Sequence, residues 1–107
     1  MTEILSKMNR YPRLVCADGF EMSVQANQGA YCTPRQNNAK KYKEVEVGFP
    51  SIEEPMLMEY VESEGRPTDT VYPYVPVEVV TNVIAKHGGI VEGDVPPGVV
   101  PLRAISR

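Results

Sequence analysis

Apolar and polar side chains alternate with a period of two in parts of this chain and with a helical period in one other. From Phe20 onward, Phe20, Met22, Val24 and Ala26 fall on one side and Glu21, Ser23 and Gln25 on the other. That is a strand with one buried and one wet face. Arg13–Ala17 precedes it across Asp18-Gly19, a dipeptide suited to a type I′ turn, so residues 13–26 predict a hairpin. A third strand follows over 42–49, with Val45, Val47 and Phe49 inward, Glu44 and Glu46 outward, and Pro50 as its stop. Ala30–Thr33 and Thr70–Tyr72 are short enough to be extra edge strands.

The helical period belongs to residues 76–87. Pro76 suits a first helical position, Glu78 favours the positive end of the helix dipole, and Val79, Val80, Val83 and Ile84 form one apolar stripe. Lys86 and His87 fill the last turn, and Gly88 can adopt the left-handed conformation that ends a helix. Its β-branched residues lower helix propensity, so this helix needs a sheet to lie on. The pattern predicts an α+β fold: a small, mainly antiparallel sheet of hairpin 13–26, strand 42–49 and short extra strands, covered by helix 76–87. Residues 1–12 read as an N-terminal arm, with Ile4, Leu5 and Met8 at helical spacing. Residues 13–93 read as the single domain, and the Pro-rich segment 94–107 as an extended tail that folding does not need.

Between strand and helix, Ser51-Ile52-Glu53-Glu54 spells a capping box that Pro55 limits to about one turn. Glu62–Thr70, with Gly65 and Pro67, reads as an exposed connection.

Composition narrows the functional classes. The chain has 107 residues, 42% of them hydrophobic and 23% charged, with ten prolines and a net charge of −3. An acidic total argues against electrostatic binding of nucleic acid as the main task. Two cysteines, Cys16 and Cys32, are too few for a disulfide scaffold, no apolar signal core opens the chain, and no run is long enough to cross a membrane. Free thiols in a cytoplasmic setting are therefore expected. Cys16 alternates with Leu14 as a small core residue, and Cys32, beside a loop, is the better candidate for a reactive thiol.

Catalytic chemistry is thinly signalled. His87 is the only histidine, and its place at a helix C-terminus is accounted for by capping and the dipole. Cys16, Cys32 and His87 fall short of a zinc ligand set. The acidic run of Glu53, Glu54, Glu59, Glu62, Glu64 and Asp69 could hold a divalent metal in a small hydrolase or nuclease, but a solvated face explains it as well. No cofactor is expected. A stronger pattern is the connection that carries Tyr31, Arg35, Lys40, Lys41 and Tyr42. It is longer than a hairpin needs, and long loops on a rigid sheet concentrate binding residues. Tyr and Arg are also hot-spot residues. These five are the expected partner-binding residues, and neutralisation of the acidic run within the same molecule is the alternative role for the loop's charges.

The segments Cys16–Ala26, Tyr31-Cys32-Thr33-Pro34-Arg35, Val45–Ser51 and Val71-Tyr72-Pro73-Tyr74-Val75-Pro76 through His87-Gly88-Gly89 resemble a family of small uncharacterised proteins encoded by tailed phages and prophages. The resemblance covers roughly residues 13–90. It implies a gene product made in a bacterial cytoplasm and carries no activity, ligand or catalytic residue with it. The expected function is that of a non-enzymatic accessory protein that binds a host or phage protein, as in host takeover or anti-defence. A virion accessory subunit and the metal-dependent hydrolase are the alternatives.

Overall fold

The expected hairpin, third strand and helix all form in the computed structural model, which describes residues 10–105. The expectations for the arm before Arg10 lie outside the described residues. Strands β1 (Leu14–Cys16), β2 (Glu21–Gln25), β3 (Glu44–Gly48), β4 (Val71–Pro76) and β5 (Ile90–Glu92) make one antiparallel sheet in the order β4-β3-β2-β1-β5. A 3-10 helix, Pro55–Tyr60, lies between β3 and β4, and helix α1, Val77–Lys86, lies between β4 and β5. Strand β2 serves both halves of the sheet. Leu14 pairs with Met22 and Val15 with Glu21, whereas Ser23, Val24 and Gln25 pair with Gly48, Val47 and Glu46.

The alternation places Phe20, Met22, Val24, Val45 and Val47 in the core, where α1 adds Val77, Val80, Val83 and Ile84. Burying each such side chain contributes about 1.5–3 kcal/mol, which lets a β-branched helix hold on this surface. Helix α1 carries the chain from one edge strand to the other. Ten residues span about 15 Å at 1.5 Å each, close to the width of a five-stranded sheet.

Several local expectations are corrected. The hairpin turn is not type I′. Gly19 has φ +94°, but neither Ala17 nor Asp18 has a positive φ, and Cys16 N–H donates to Phe20 O at 2.8 Å while Gly19 N–H donates to Cys16 O at 2.9 Å. This is a three-residue loop with a glycine bulge, the next commonest hairpin solution. Phe49 does not point inward. Pairing ends at Gly48, Phe49 turns to φ 50°, and its ring is exposed. Ser51 does not cap the following turn, because its hydroxyl accepts Glu21 N–H instead. Glu54 is the cap, with its carboxylate accepting Met56 N–H at 2.8 Å. Pro76 stands one residue earlier than expected, at the N-cap of α1.

The segment from Asp94 is extended, but it is not a free tail. Val95, Pro96 and Val99 are buried. Tyr42 N–H donates to Pro97 O at 2.9 Å, Ile90 N–H to Leu102 O at 2.7 Å, and Ala104 N–H to Ile90 O at 3.0 Å. Proline lacks a donor yet keeps its carbonyl, so a Pro-rich strip can still satisfy the N–H groups of its neighbours. Gly98 fits because a Cβ there would overlap the Tyr42 carbonyl oxygen.

Candidate functional site

The long connection between β2 and β3 is a built loop. Thr33 and Glu44 form an isolated antiparallel bridge that closes it, with Thr33 N–H donating to Glu44 O at 3.0 Å and Lys43 N–H to Thr33 O at 2.8 Å. Inside the ring stands Tyr42. Its hydroxyl donates to Gln36 O at 2.6 Å and accepts Ala39 N–H at 3.2 Å. Asn37 Oδ1 accepts Gln28 N–H at 3.0 Å and ties the loop to the preceding turn. Tyr42 is completely buried, which corrects its assignment as a partner-binding residue. It is the post around which the loop is wound, and no partner can reach its ring.

Tyr31, Arg35, Lys40 and Lys41 all face solvent. The structure adds Tyr74, from a distant part of the chain, to this group. On β4, Val75 pairs with Val45 and Tyr72 with Val47, so Glu46 stands opposite both Pro73 and Tyr74. Such a bulge re-aims a side chain, and here it sets Tyr74 at φ 52°, a region costly for a bulky residue. Two interactions hold the strained residue in place: Tyr74 N–H donates to Tyr31 O at 3.1 Å, and Tyr31 N–H donates to Glu46 Oε1 at 2.8 Å. The two rings meet at 6.0 Å between centroids with a 48° tilt, and the Arg35 guanidinium lies 5.6 Å from the Tyr31 centroid. Tyr31 and Tyr74 remain 42% and 40% exposed, so the cluster is ordered by its own contacts yet open to a partner.

Lys41 and Lys43 border an open cleft of about 610 Å³ whose lining includes Glu44, Pro76, Val77 and Glu78. The acidic run is not gathered opposite these cations. Glu54 is buried, Asp69 pairs with Arg66, and Glu53, Glu59, Glu62 and Glu64 are exposed. None of the loop's cations forms an ion pair with the run.

A second polar constellation was missed by sequence reading. His87, 6% exposed, has Nδ1 2.6 Å from Asp18 Oδ2 and Nε2 2.7 Å from Glu54 Oε1. Glu54, 1% exposed, also accepts Lys86 Nζ at 2.9 Å. Phe20 stacks on the imidazole at 4.0 Å and 11°. Burial alone would raise the Glu54 carboxyl, but Lys86, Met56 N–H and His87 together hold it below its ordinary value of 4.5. Asp18 is held below its ordinary 3.8, first by Phe20 N–H and then by His87. Both ring nitrogens are engaged by carboxylates and Phe20 covers one face of the imidazole. The constellation joins the β1–β2 loop, the 3-10 helix and the end of α1. His87 does end the helix as expected, but its side chain does much more. Contacts across such separations leave no local spacing signal in a sequence.

Cys32, the expected reactive thiol, is buried, and its Sγ–H donates to Asn27 O at 3.2 Å. Burial pushes both Cys32 and Cys16 above the ordinary thiol value, and both are free. No helix among the described residues is long and apolar enough to cross a membrane. No protein-family model matches the chain, and neither a curated protein nor a solved structure does.

Proposed function

We propose that this protein is a non-enzymatic binding protein that docks a host or phage protein through the exposed Tyr31–Tyr74–Arg35 patch. The observation that carries this reading is Tyr74. A bulky residue is held at positive φ in a strand bulge, where its ring is aimed into solvent beside a second tyrosine and an arginine. Strain of this kind costs about 1–3 kcal/mol and persists where the surroundings over-determine it, commonly at ligand-binding positions. Tyr and Arg together are the residues that dominate interface energetics. The resemblance to small phage-encoded proteins supplies the setting, a bacterial cytoplasm, in which the free thiols are at home.

Affinity capture from a bacterial lysate tests the proposal. The expected result is a specific partner retained by the native chain and by Glu62→Gln/Glu64→Gln, and lost with Tyr31→Ala/Arg35→Ala while circular dichroism stays native. Capture that survives the loop change and disappears with the acidic change would overturn it.

A further inference from the structure

The cations of this protein divide into two groups. Among the described residues, Arg13, Arg66, Lys86 and Arg103 each pair with a carboxylate: Glu21, Asp69, Glu54 and Asp94. Arg10 aside, the described cations left without an ion pair are Arg35, Lys40, Lys41 and Lys43, all on the one connection that also carries Tyr31. Among the described residues, and Arg10 apart, the cations without an ion pair thus lie on a single loop of a chain whose net charge is −3. The loop that carries it is fixed from within by the Tyr42 hydroxyl and the Thr33–Glu44 bridge, so its charges are presented without a large ordering cost on binding.

We infer that the occupant of this surface is an acidic segment of a partner protein, whose carboxylates meet Arg35, Lys40, Lys41 and Lys43 while its apolar part covers Tyr31 and Tyr74. This rests on the protein-docking reading above and names its partner class. Charge complementarity of this kind sets encounter rate and specificity, and it weakens with salt. Single-stranded nucleic acid is the other polyanion with matching chemistry. The structure favours protein for two reasons. The Tyr31 ring already has Arg35 over one face, which leaves less of it open to stacked bases. The acidic remainder of the chain also repels a long polyanion.

Fluorescence anisotropy on the full chain tests this with three labelled probes: a tyrosine-containing oligo-glutamate peptide, an oligo-lysine peptide of equal length, and single-stranded oligothymidylate. The expected result is binding of the glutamate peptide alone, weakened roughly tenfold or more by Lys40→Glu/Lys41→Glu and by raised salt. Tighter binding of oligothymidylate would overturn the inference in favour of nucleic acid, and binding of none of the probes would also overturn it. The same Lys40→Glu/Lys41→Glu chain enters the lysate capture. A partner lost with Tyr31→Ala/Arg35→Ala but kept by the charge reversal would leave the docking reading standing and remove the acidic partner.

Discussion

Replacing Glu54 with alanine should be among the most damaging single changes in the molecule. Three groups lose their acceptor: Met56 N–H at the cap of the 3-10 helix, Lys86 Nζ and His87 Nε2. Lys86 is 45% exposed and contributes little, about 0–1 kcal/mol. The cap is worth roughly 1 kcal/mol, and the dominant loss is the buried Nε2 of His87 left unpaired, with Asp18 as the ring's one remaining carboxylate. Leaving a buried polar group unsatisfied costs about 1–3 kcal/mol, a large share of the roughly 5–15 kcal/mol that holds a domain together. Urea unfolding followed by circular dichroism should show the midpoint falling by more than about 1 M. Glu53→Ala, at the exposed neighbour, should stay within about 0.5 kcal/mol of the native chain. The pH dependence gives a second check. Glu54 and Asp18 both titrate lower in the folded chain than when unfolded, so they stabilise it above their ordinary values of 4.5 and 3.8. That stabilisation is lost as pH falls through the lower folded values. Glu54→Gln should remove part of this acid-side slope. A Glu54→Ala chain as stable as Glu53→Ala would refute the buried network.

Other outcomes follow from the same contacts. Truncation after Gly93 should lower stability markedly in thermal unfolding, since it removes buried Val95 and Val99 and the acceptors of Tyr42 and Ile90 N–H; an unchanged transition would mean that the segment does not dock. Gly19→Val should cost about 1–2 kcal/mol through positive φ alone, because nothing lies within 4 Å of a Cβ there, and a neutral effect in urea unfolding would contradict the assigned turn. Both thiols should resist a thiol reagent in the native chain and react fully once it is unfolded, given their burial and raised pKa values; rapid native reaction of Cys32 would show its pocket to be open.

The fold was legible where one residue type settles one local question. Alternation from Phe20 to Ala26 and the stripe on α1 gave the core because burial follows period. Tyr31 and Arg35 were legible as surface residues from the length of their loop. Tyr42 was not, since an aromatic beside a basic loop looks the same whether it faces out or props the loop from inside. His87 and Glu54 look ordinary for a helix end and an acidic run, and only the 33-residue separation closed by the fold makes them a pair. The prolines after Asp94 were misleading because they remove donors while leaving carbonyls that the neighbouring chain uses. Tyr74 could be flagged by nothing local, because its bulge depends on how β4 registers against β3.

Contact between Tyr74 and a partner protein should be trapped by in-cell photo-cross-linking. Benzoylphenylalanine replaces Tyr74 in one chain and Glu64, on the exposed acidic connection, in another, and each is irradiated in bacteria. The expected result is a discrete protein adduct from position 74, abolished by adding Arg35→Ala, and none from position 64. An adduct from position 64 with none from position 74 would contradict it.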